Sequence, residues 1–161
     1  MSELLSITRA DTGNSAEQQI ELGQHGEALA SRYLEAQGYR LVMSNFKAPI
    51  GRNTRGVQIS GEIDIVALEG ETLCFIEVKT RRSDRFTPII TNVDLRKQRQ
   101  IIRTAKVYRR TFRVWNLPHR YDVVTVHLPH GGKPDIELTR AFWNDSKFRK
   151  RSWTSPASQE Y

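Results

Sequence analysis

The chain has 161 residues, of which 38% are hydrophobic and 27% are charged, and its formal net charge is +7. That length favours one domain with a substantial core. The longest apolar run, residues 65–68, is far too short to span a bilayer, and the N-terminal residues lack the basic and apolar regions of a secretory signal. A single cysteine excludes a disulfide within the chain. These properties predict a cytoplasmic protein that does not span a membrane.

The positive charge is concentrated in residues 79–113. This segment contains twelve Lys and Arg but only two Asp, a net charge of +10, so the rest of the chain sums to −3. A field of one sign on one segment favours a polyanionic partner. The alternative is a basic helix face that is merely solvated.

Hydrophobic periodicity predicts where the first elements lie. Residues 21–37 have apolar side chains at helical spacing, and Gly38 follows as a stop signal. Residues 39–45 are typical of a strand, and 46–60 are typical of a long loop because they contain one proline and two glycines. We expect three regions along the chain: a flexible arm over 1–20, a domain over 21–142 and a flexible basic tail over 143–161.

The second half of the domain follows the same reasoning. The pattern predicts a β-hairpin over 61–80 that turns at 69–72, a helix over 93–112 capped by Thr91 or Asn92, a strand over 120–128, and a short element of open type over 136–142. The order is therefore one helix, three strands, a second helix and a strand, which is an α/β arrangement.

The hairpin permits a geometric argument about two acidic residues. If Leu68 pairs with Leu73 across the turn, Asp64 lies opposite Glu77, and Glu62 lies opposite Lys79. Side chains in such pairs have Cβ atoms about 4.5–5.5 Å apart. Asp64 and Glu77 then share one face with Lys79, provided that no β-bulge shifts the register.

Two carboxylates held side by side repel each other unless a proton or a cation compensates. Mg²⁺ prefers oxygen ligands and is commonly held by one or two carboxylates. A lysine beside the cation can orient or deprotonate a water. Asp64, Glu77 and Lys79 therefore form a candidate phosphodiester-cleaving site that uses Mg²⁺ or Mn²⁺. The alternative is a set of ordinary charge pairs at a strand end.

Two helical polar residues extend the candidate site. Glu27 lies between Gly26 and Ala30, whose small side chains let the first helix approach the sheet closely, so Glu27 can reach the metal directly or through water. Gln98 falls on the buried stripe of the second helix, where an unpaired amide is costly. The alternatives are a surface glutamate and a boundary glutamine.

An ordered series of motifs resembles a known family. The first helix contains the motif GQHGEALA (23–30). The hairpin contains GEID (61–64) and FIEVKTR (75–81). The second helix opens with KQ (97–98), and the motifs RYDVV (120–124) and AF (141–142) follow it. The series resembles the YraN-like family of small bacterial proteins, which is assigned to the PD-(D/E)XK nuclease superfamily and is similar in fold to archaeal Holliday-junction resolvases. The 46–60 segment is longer than is usual for that family.

The resemblance implies a restriction-endonuclease-like αβββαβ core with a mixed central sheet flanked by helices. It implies metal binding by Asp64, Glu77 and the Val78 carbonyl. It places catalytic support on Lys79 and on three helical residues, which are Glu27, Lys97 and Gln98. A family aspartate matches Asp122, for which we expect an ion pair with Arg120 or a contact with a helix end.

The function that these expectations favour is a metal-dependent endonuclease acting on DNA, including branched or flapped DNA. The basic residues expected to contact phosphates are Arg81, Arg82, Lys97, Arg99 and Arg103. Two alternatives stay open, namely a nucleic-acid-binding module without chemistry and an assembly adaptor whose basic face meets an acidic protein. A homodimer is also left open.

Overall fold

The computed structural model describes residues 10–82 and 93–148. Over these residues the element order confirms the predicted α/β class and its αβββαβ core, and it adds a fifth strand. The elements are α1 (Ala10–Ala36), β1 (Arg40–Arg52), β2 (Gln58–Glu69), β3 (Thr72–Arg82), α2 (Leu95–Thr111), β4 (His119–Leu128), β5 (Asp135–Trp143) and a short 3-10 helix (Asp145–Phe148).

The five strands form one sheet in the order β1-β2-β3-β4-β5. β3 and β4 are parallel and the other neighbouring pairs are antiparallel, so the sheet is mixed, as predicted. Successive β3 residues point to opposite sides: Phe75 packs with Ile101 of α2, whereas Ile76 packs with Leu34 of α1. The two helices therefore cover opposite faces of the sheet.

α1 is longer than its apolar pattern predicted. It begins at Ala10 and so includes the second half of the segment assigned to a flexible arm. Propensity explains the extension, because residues 16–20 (AEQQI) are mostly strong helix formers although they have no apolar stripe. At Gly26 the predicted close approach is confirmed, since a Cβ there would lie 1.8 Å from the Thr80 Oγ1 of β3.

The loop predicted over 46–60 is wrong. β1 continues to Arg52, β2 begins at Gln58, and only a short turn separates them. Phe46, Ala48 and Ile50 alternate inward at strand spacing, but Pro49 and Gly51 obscured this pattern in the sequence. The register shifts between Pro49 and Gly51, which accommodates both residues in the ladder.

The second helix and the C-terminal region differ from expectation in smaller ways. Asp94 is the N-cap of α2, where its side chain accepts the Lys97 N–H at 2.7 Å; the caps predicted at 91 and 92 lie outside the described residues. Leu95 and Phe112, at the two ends of the helix, are exposed although both are large and hydrophobic. Trp143, predicted to begin the tail, ends β5 and is only 5% exposed. Among the described residues, no helix is long and apolar enough to cross a membrane.

Candidate functional site

The sheet opens at one point between β2 and β3. The predicted pairing of Leu68 with Leu73 is confirmed, but the described ladder ends at Ile65 and Ile76. Beyond that point β2 stays paired with β1, and β3 stays paired with β4 as far as Arg82. We call this divergence the strand fork. It places Asp64 and Glu77 one residue past the ladder, one on each strand, and not as a hydrogen-bonded cross-strand pair.

The two carboxylates still converge across the fork. Asp64 Oδ2 accepts the backbone N–H of Val78 at 2.7 Å, which holds the Asp64 side chain against β3. Glu77 is only 3% exposed. Burial and the nearby Glu77 carboxylate raise the pKa of Asp64 to about 7, although the Val78 N–H and Lys97 act in the opposite direction. The repulsion predicted from sequence is therefore present.

Two lysines flank Glu77. The Lys79 Nζ lies 2.8 Å from Glu77 Oε1, and the Lys97 Nζ lies 3.2 Å from Glu77 Oε2. Burial lowers the pKa of Lys97, but the Glu77 and Asp64 carboxylates outweigh it and the net direction is upward. The predicted approach of Glu62 to Lys79 is replaced by an ion pair of Glu62 with Lys47 at 3.4 Å, because β2 has left β3 at this level.

Glu27 reaches the same region from α1. Its Oε2 accepts the Asn45 Nδ2 at 3.2 Å, and its charge raises the pKa of Asp64. Asn45 was not predicted as a site residue. The sequence offers little reason to select Asn45, because it is only the last residue of a predicted strand. In the structure Asn45 has a positive φ of 53°. Glu27 also lines a cleft with Lys79, Arg81 and Arg82 at the end of β3, along with residues of α1.

Gln98 is buried, as predicted, but its contacts do not join it to the fork. Its Nε2 donates to the Val93 carbonyl at 2.6 Å. Its Oε1 is buried and has no hydrogen-bond partner within the described part of the chain. A supporting role for Gln98 in catalysis stays a prediction.

The donor set at the fork fits a hard divalent cation. Two carboxylates approach each other, and among the described residues the buried Glu77 Oε2 has no hydrogen bond of good geometry despite the nearby lysine. Oxygen donors of this kind suit Mg²⁺ or Mn²⁺. Within residues 10–82 and 93–148, no three His, Cys, Asp or Glu side chains are grouped as a metal site. Glu27 therefore does not complete a three-carboxylate cage, and the Val78 carbonyl stays a predicted ligand.

The predicted phosphate-binding residues lie on two surfaces. Arg81 and Arg82 are exposed at the end of β3, in the cleft that also contains Glu27. Lys97, Arg99 and Arg103 line a different cleft on the other side of the fork, between α2 and the β1–β2 hairpin. The fork thus has basic residues on both sides.

Asp122 belongs to a separate network, although it lies beside Ile76 of β3, one register position from Glu77. It is fully buried and accepts the Arg120 Nε at 2.9 Å and the Ala141 N–H at 2.9 Å. Arg120 also donates to the Tyr39 hydroxyl at 2.7 Å and pairs with Glu69. The expected pairing of Asp122 with Arg120 is confirmed.

The fold and the fork define a class: a small α/β protein whose mixed sheet opens at a cluster of carboxylates and lysines. The chain belongs to the uncharacterised protein family UPF0102, whose profile matches residues 26–126. This is the YraN-like family that the motifs indicated.

Several UPF0102 proteins cover most of the chain. The chain is 40% identical to one from Chlorobium chlorochromatii over 76% of its own length and 92% of the relative. A protein from Renibacterium salmoninarum is also 40% identical, over 75% of this chain and 94% of the relative. One from Hahella chejuensis is 35% identical, over 68% of this chain and 80% of the relative.

Proposed function

We propose that this protein is a cytoplasmic, divalent-metal-dependent endonuclease that hydrolyses phosphodiester bonds in DNA. The observation that carries the proposal is the convergence of Asp64 and Glu77 at the strand fork. Burial and the nearby Glu77 carboxylate raise the pKa of Asp64, and a sheet gains nothing in stability from such a pair. A divalent cation bound between the two carboxylates during catalysis would explain why the protein holds them together.

Asp64 and Glu77 would hold Mg²⁺ or Mn²⁺, together with the Val78 carbonyl. Such a cation, when bound, polarises a phosphoryl oxygen and makes a bound water more acidic. The Val78 N–H fixes the Asp64 side chain, so the carboxylate is oriented before any ligand arrives. Preorganised groups of this kind need little rearrangement when substrate binds.

Lys79 is the candidate for contact with the reacting groups. Its ammonium lies 2.8 Å from Glu77 Oε1, and its side chain is 37% exposed, so it reaches both the carboxylates and solvent. From there it can orient the attacking water or neutralise charge on the phosphate. Glu27 approaches from α1 and is placed to hold a second water.

The basic residues around the fork support a nucleic-acid substrate. Arg81 and Arg82 extend one side of the site, and Arg99 and Arg103 extend the other. Phosphate contacts of this kind supply affinity and orientation but carry no sequence information. The proposal therefore predicts binding that weakens steeply with salt.

A binding module without chemistry is the second candidate function. Its support is the pairing of both Glu77 oxygens with lysines, since Lys79 and Lys97 together offset the charges of Asp64 and Glu77. In that case the fork is an ion cluster that shapes a basic surface. An adaptor that uses the same surface for an acidic protein would bind such a partner in preference to DNA.

Cleavage assays separate these functions. Linear, flapped and four-way DNA are incubated with Mg²⁺ or Mn²⁺, using wild type, Asp64→Asn and Lys79→Ala. The matched control is Glu62→Gln, which removes a partly exposed acid two residues from Asp64. We expect wild type and the control to cut at least one substrate and both site variants to lose about 10²-fold or more in rate. Binding without cleavage by wild type, or equal cleavage by all variants, contradicts the nuclease proposal.

A further inference from the structure

The β1–β2 hairpin continues beyond the strand fork as a two-stranded arm. We define the arm as residues 47–61, in which the ladder runs from Ala48 and Gly61 to Arg52 and Gln58. In the described sheet, β3 pairs with β2 only as far as Ile65, so the arm leaves β3 behind. At about 3.4 Å per residue, it extends roughly 20 Å past the fork.

The turn at the tip of the arm is held by hydrogen bonds within the arm. Asn53 Oδ1 accepts the backbone N–H groups of Arg55 and Val57, both at 2.9 Å. The Arg52 guanidinium donates to the Gly56 carbonyl at 2.8 Å and closes the turn from its other side. Gly56 has a φ of +75°, which a side chain rarely tolerates. The tip is therefore held in one shape by its own polar contacts.

The base of the arm is fixed against α2. Gln100 Nε2 donates to the Ser60 carbonyl at 3.0 Å. Gly61 packs so closely on Thr104 that a Cβ at Gly61 would lie 2.0 Å from the Thr104 Oγ1. These contacts set the position of the arm relative to the basic helix.

The arm is basic and exposed. Residues 47–61 contain Lys47, Arg52 and Arg55 but no Asp or Glu. Every residue from 51 to 58 is exposed, and Val57 is 59% exposed. An ordered turn that presents cations and an apolar side chain to solvent is suited to contact with a polyanion that also has apolar edges, as DNA bases do in a groove.

A cleft of 480 Å³ separates the arm from α2. Ile50 and Ile59 of the arm form one side, and the other side carries Arg96, Lys97, Arg99 and Arg103 of α2, with Asp94 and Gln100. The three arginines follow one ridge of the helix over about 10 Å. A ridge of this length can contact neighbouring phosphates of one strand.

We propose that the arm enters the major groove of duplex DNA while the cleft holds the phosphate backbone of one strand beside it. This rests on the proposed function and names the form of its substrate. A major groove about 12 Å wide admits a two-stranded ribbon, whereas the major groove of duplex RNA is too narrow for side chains to read. Lys97 lines the cleft and lies 3.2 Å from Glu77 Oε2, so a strand held there passes the strand fork.

The test compares Arg55→Glu with Arg40→Glu. Both arginines are exposed on the β1–β2 hairpin, but Arg40 lies at the end remote from the arm. Arg55 contributes to the tip through its backbone N–H, so the substitution preserves that contact. Fluorescence anisotropy in EDTA measures binding to a 20-base-pair duplex and to a single strand of equal length, at several salt concentrations.

We expect Arg55→Glu to weaken duplex binding about tenfold and to reduce the salt slope by about one or more, with a smaller loss on the single strand. Arg40→Glu should change duplex binding less than twofold. Equal losses for Arg55→Glu and Arg40→Glu, or equal losses on duplex and single strand, overturn the groove assignment while leaving the nuclease proposal intact. Wild type that binds no DNA overturns both.

A second measurement maps the contact directly. A photoactivatable crosslinker is attached to Thr54→Cys at the tip and, as a control, to Arg40→Cys. The native Cys74 is fully buried and is not expected to react. Crosslinks from position 54 to base atoms within the duplex are expected. Crosslinks only from position 40, or none from position 54 under conditions where the duplex is bound, contradict the proposal.

Discussion

Two buried carboxylates on neighbouring strands have opposite surroundings. Glu77 on β3 and Asp122 on β4 are one register position apart, since Asp122 pairs with Ile76. Asp122 accepts hydrogen bonds from Arg120 and from the Ala141 N–H. Glu77 faces two lysines and has a second carboxylate, Asp64, beside it, and its Oε2 has no good hydrogen bond from the part of the chain that the structure describes.

The two surroundings have opposite effects on the pKa of a neighbouring acidic residue. In the Asp122 network, the hydrogen bond from Arg120 holds the pKa of Glu69 below its usual value. At the strand fork, burial and the Glu77 charge raise the pKa of Asp64. One network therefore favours ionised acids and stabilises the fold, whereas the other opposes ionisation. Acids held together against repulsion are more typical of functional sites than of structural ones.

Removing Asp122 should produce the largest effect on stability. Asp122→Ala leaves Arg120 and the Ala141 N–H without their buried acceptor, and we expect the free energy of unfolding to fall by about 3 kcal/mol. Glu77→Gln should cost less than about 1 kcal/mol in metal-free buffer, because Lys79 and Lys97 are partly exposed to water. Urea denaturation measures both. Equal losses of unfolding free energy in the two variants would contradict the conclusion that Asp122 is structural and Glu77 is not.

The pH dependence of stability should sharpen the distinction. Because the pKa of Asp64 is raised from 3.8 to about 7 in the folded protein, the unfolded chain loses this proton first as pH rises. The Asp64 contribution to the free energy of unfolding is then full below about pH 4 and falls until about pH 7. Between pH 5 and pH 8 only part of this window is crossed, so we expect a loss of about 2 kcal/mol there, less than full conversion of the shift.

Denaturation of wild type and Asp64→Asn in EDTA at pH 5 and pH 8 measures this effect. The asparagine cannot ionise, so the variant should lose less stability between the two pH values than wild type does. A wild-type difference no greater than that of the variant would show that the pKa of Asp64 is not raised in the folded protein.

Much of the fold followed from sequence because its patterns were local. The turn at 69–72 fixed the pairing of Leu68 with Leu73, and five ladder pairs follow from it. The loop prediction for 46–60 was wrong because Pro49 and Gly51 are turn signals, and the pairing of β1 with β2 overrides them. The start of α1 was predicted too late because residues with high helix propensity but no apolar stripe give no periodic signal.

The site was predictable to the level of which residues meet, but not how. The sequence identified Asp64 and Glu77 as a cross-strand pair of the hairpin. In the structure the ladder ends one residue earlier, and the two carboxylates interact electrostatically across the open fork. The point at which two paired strands diverge depends on tertiary packing, so it cannot be predicted from the register of a hairpin. Lys97 as the second partner of Glu77 depends on the packing of α2 over β3, and Asn45 as the partner of Glu27 depends on α1.

Divalent metal should stabilise the strand fork and leave the Asp122 network unaffected. If Asp64 and Glu77 bind Mn²⁺, a concentration ten times the Kd raises the free energy of unfolding by about 1.4 kcal/mol. Thermal melts with and without Mn²⁺ measure the shift, which Asp64→Asn and Glu77→Gln should abolish. Glu69→Gln is the control, since it removes an acid from the other network, and it should keep the wild-type shift. A shift retained in both site variants would place the metal elsewhere.

The smallest expected effect tests the exposed edge of the Asp122 network. Arg140 is 49% exposed, and its guanidinium donates to Tyr39 at 3.1 Å and to Glu69 at 3.0 Å. Exposed pairs contribute little because water and salt screen them, so Arg140→Gln should lower the free energy of unfolding by about 0.5 kcal/mol. The loss should shrink in 1 M NaCl, as urea denaturation at two salt concentrations would show. A loss near that of Asp122→Ala would mean that Arg140, and not Arg120, holds this end of the sheet together.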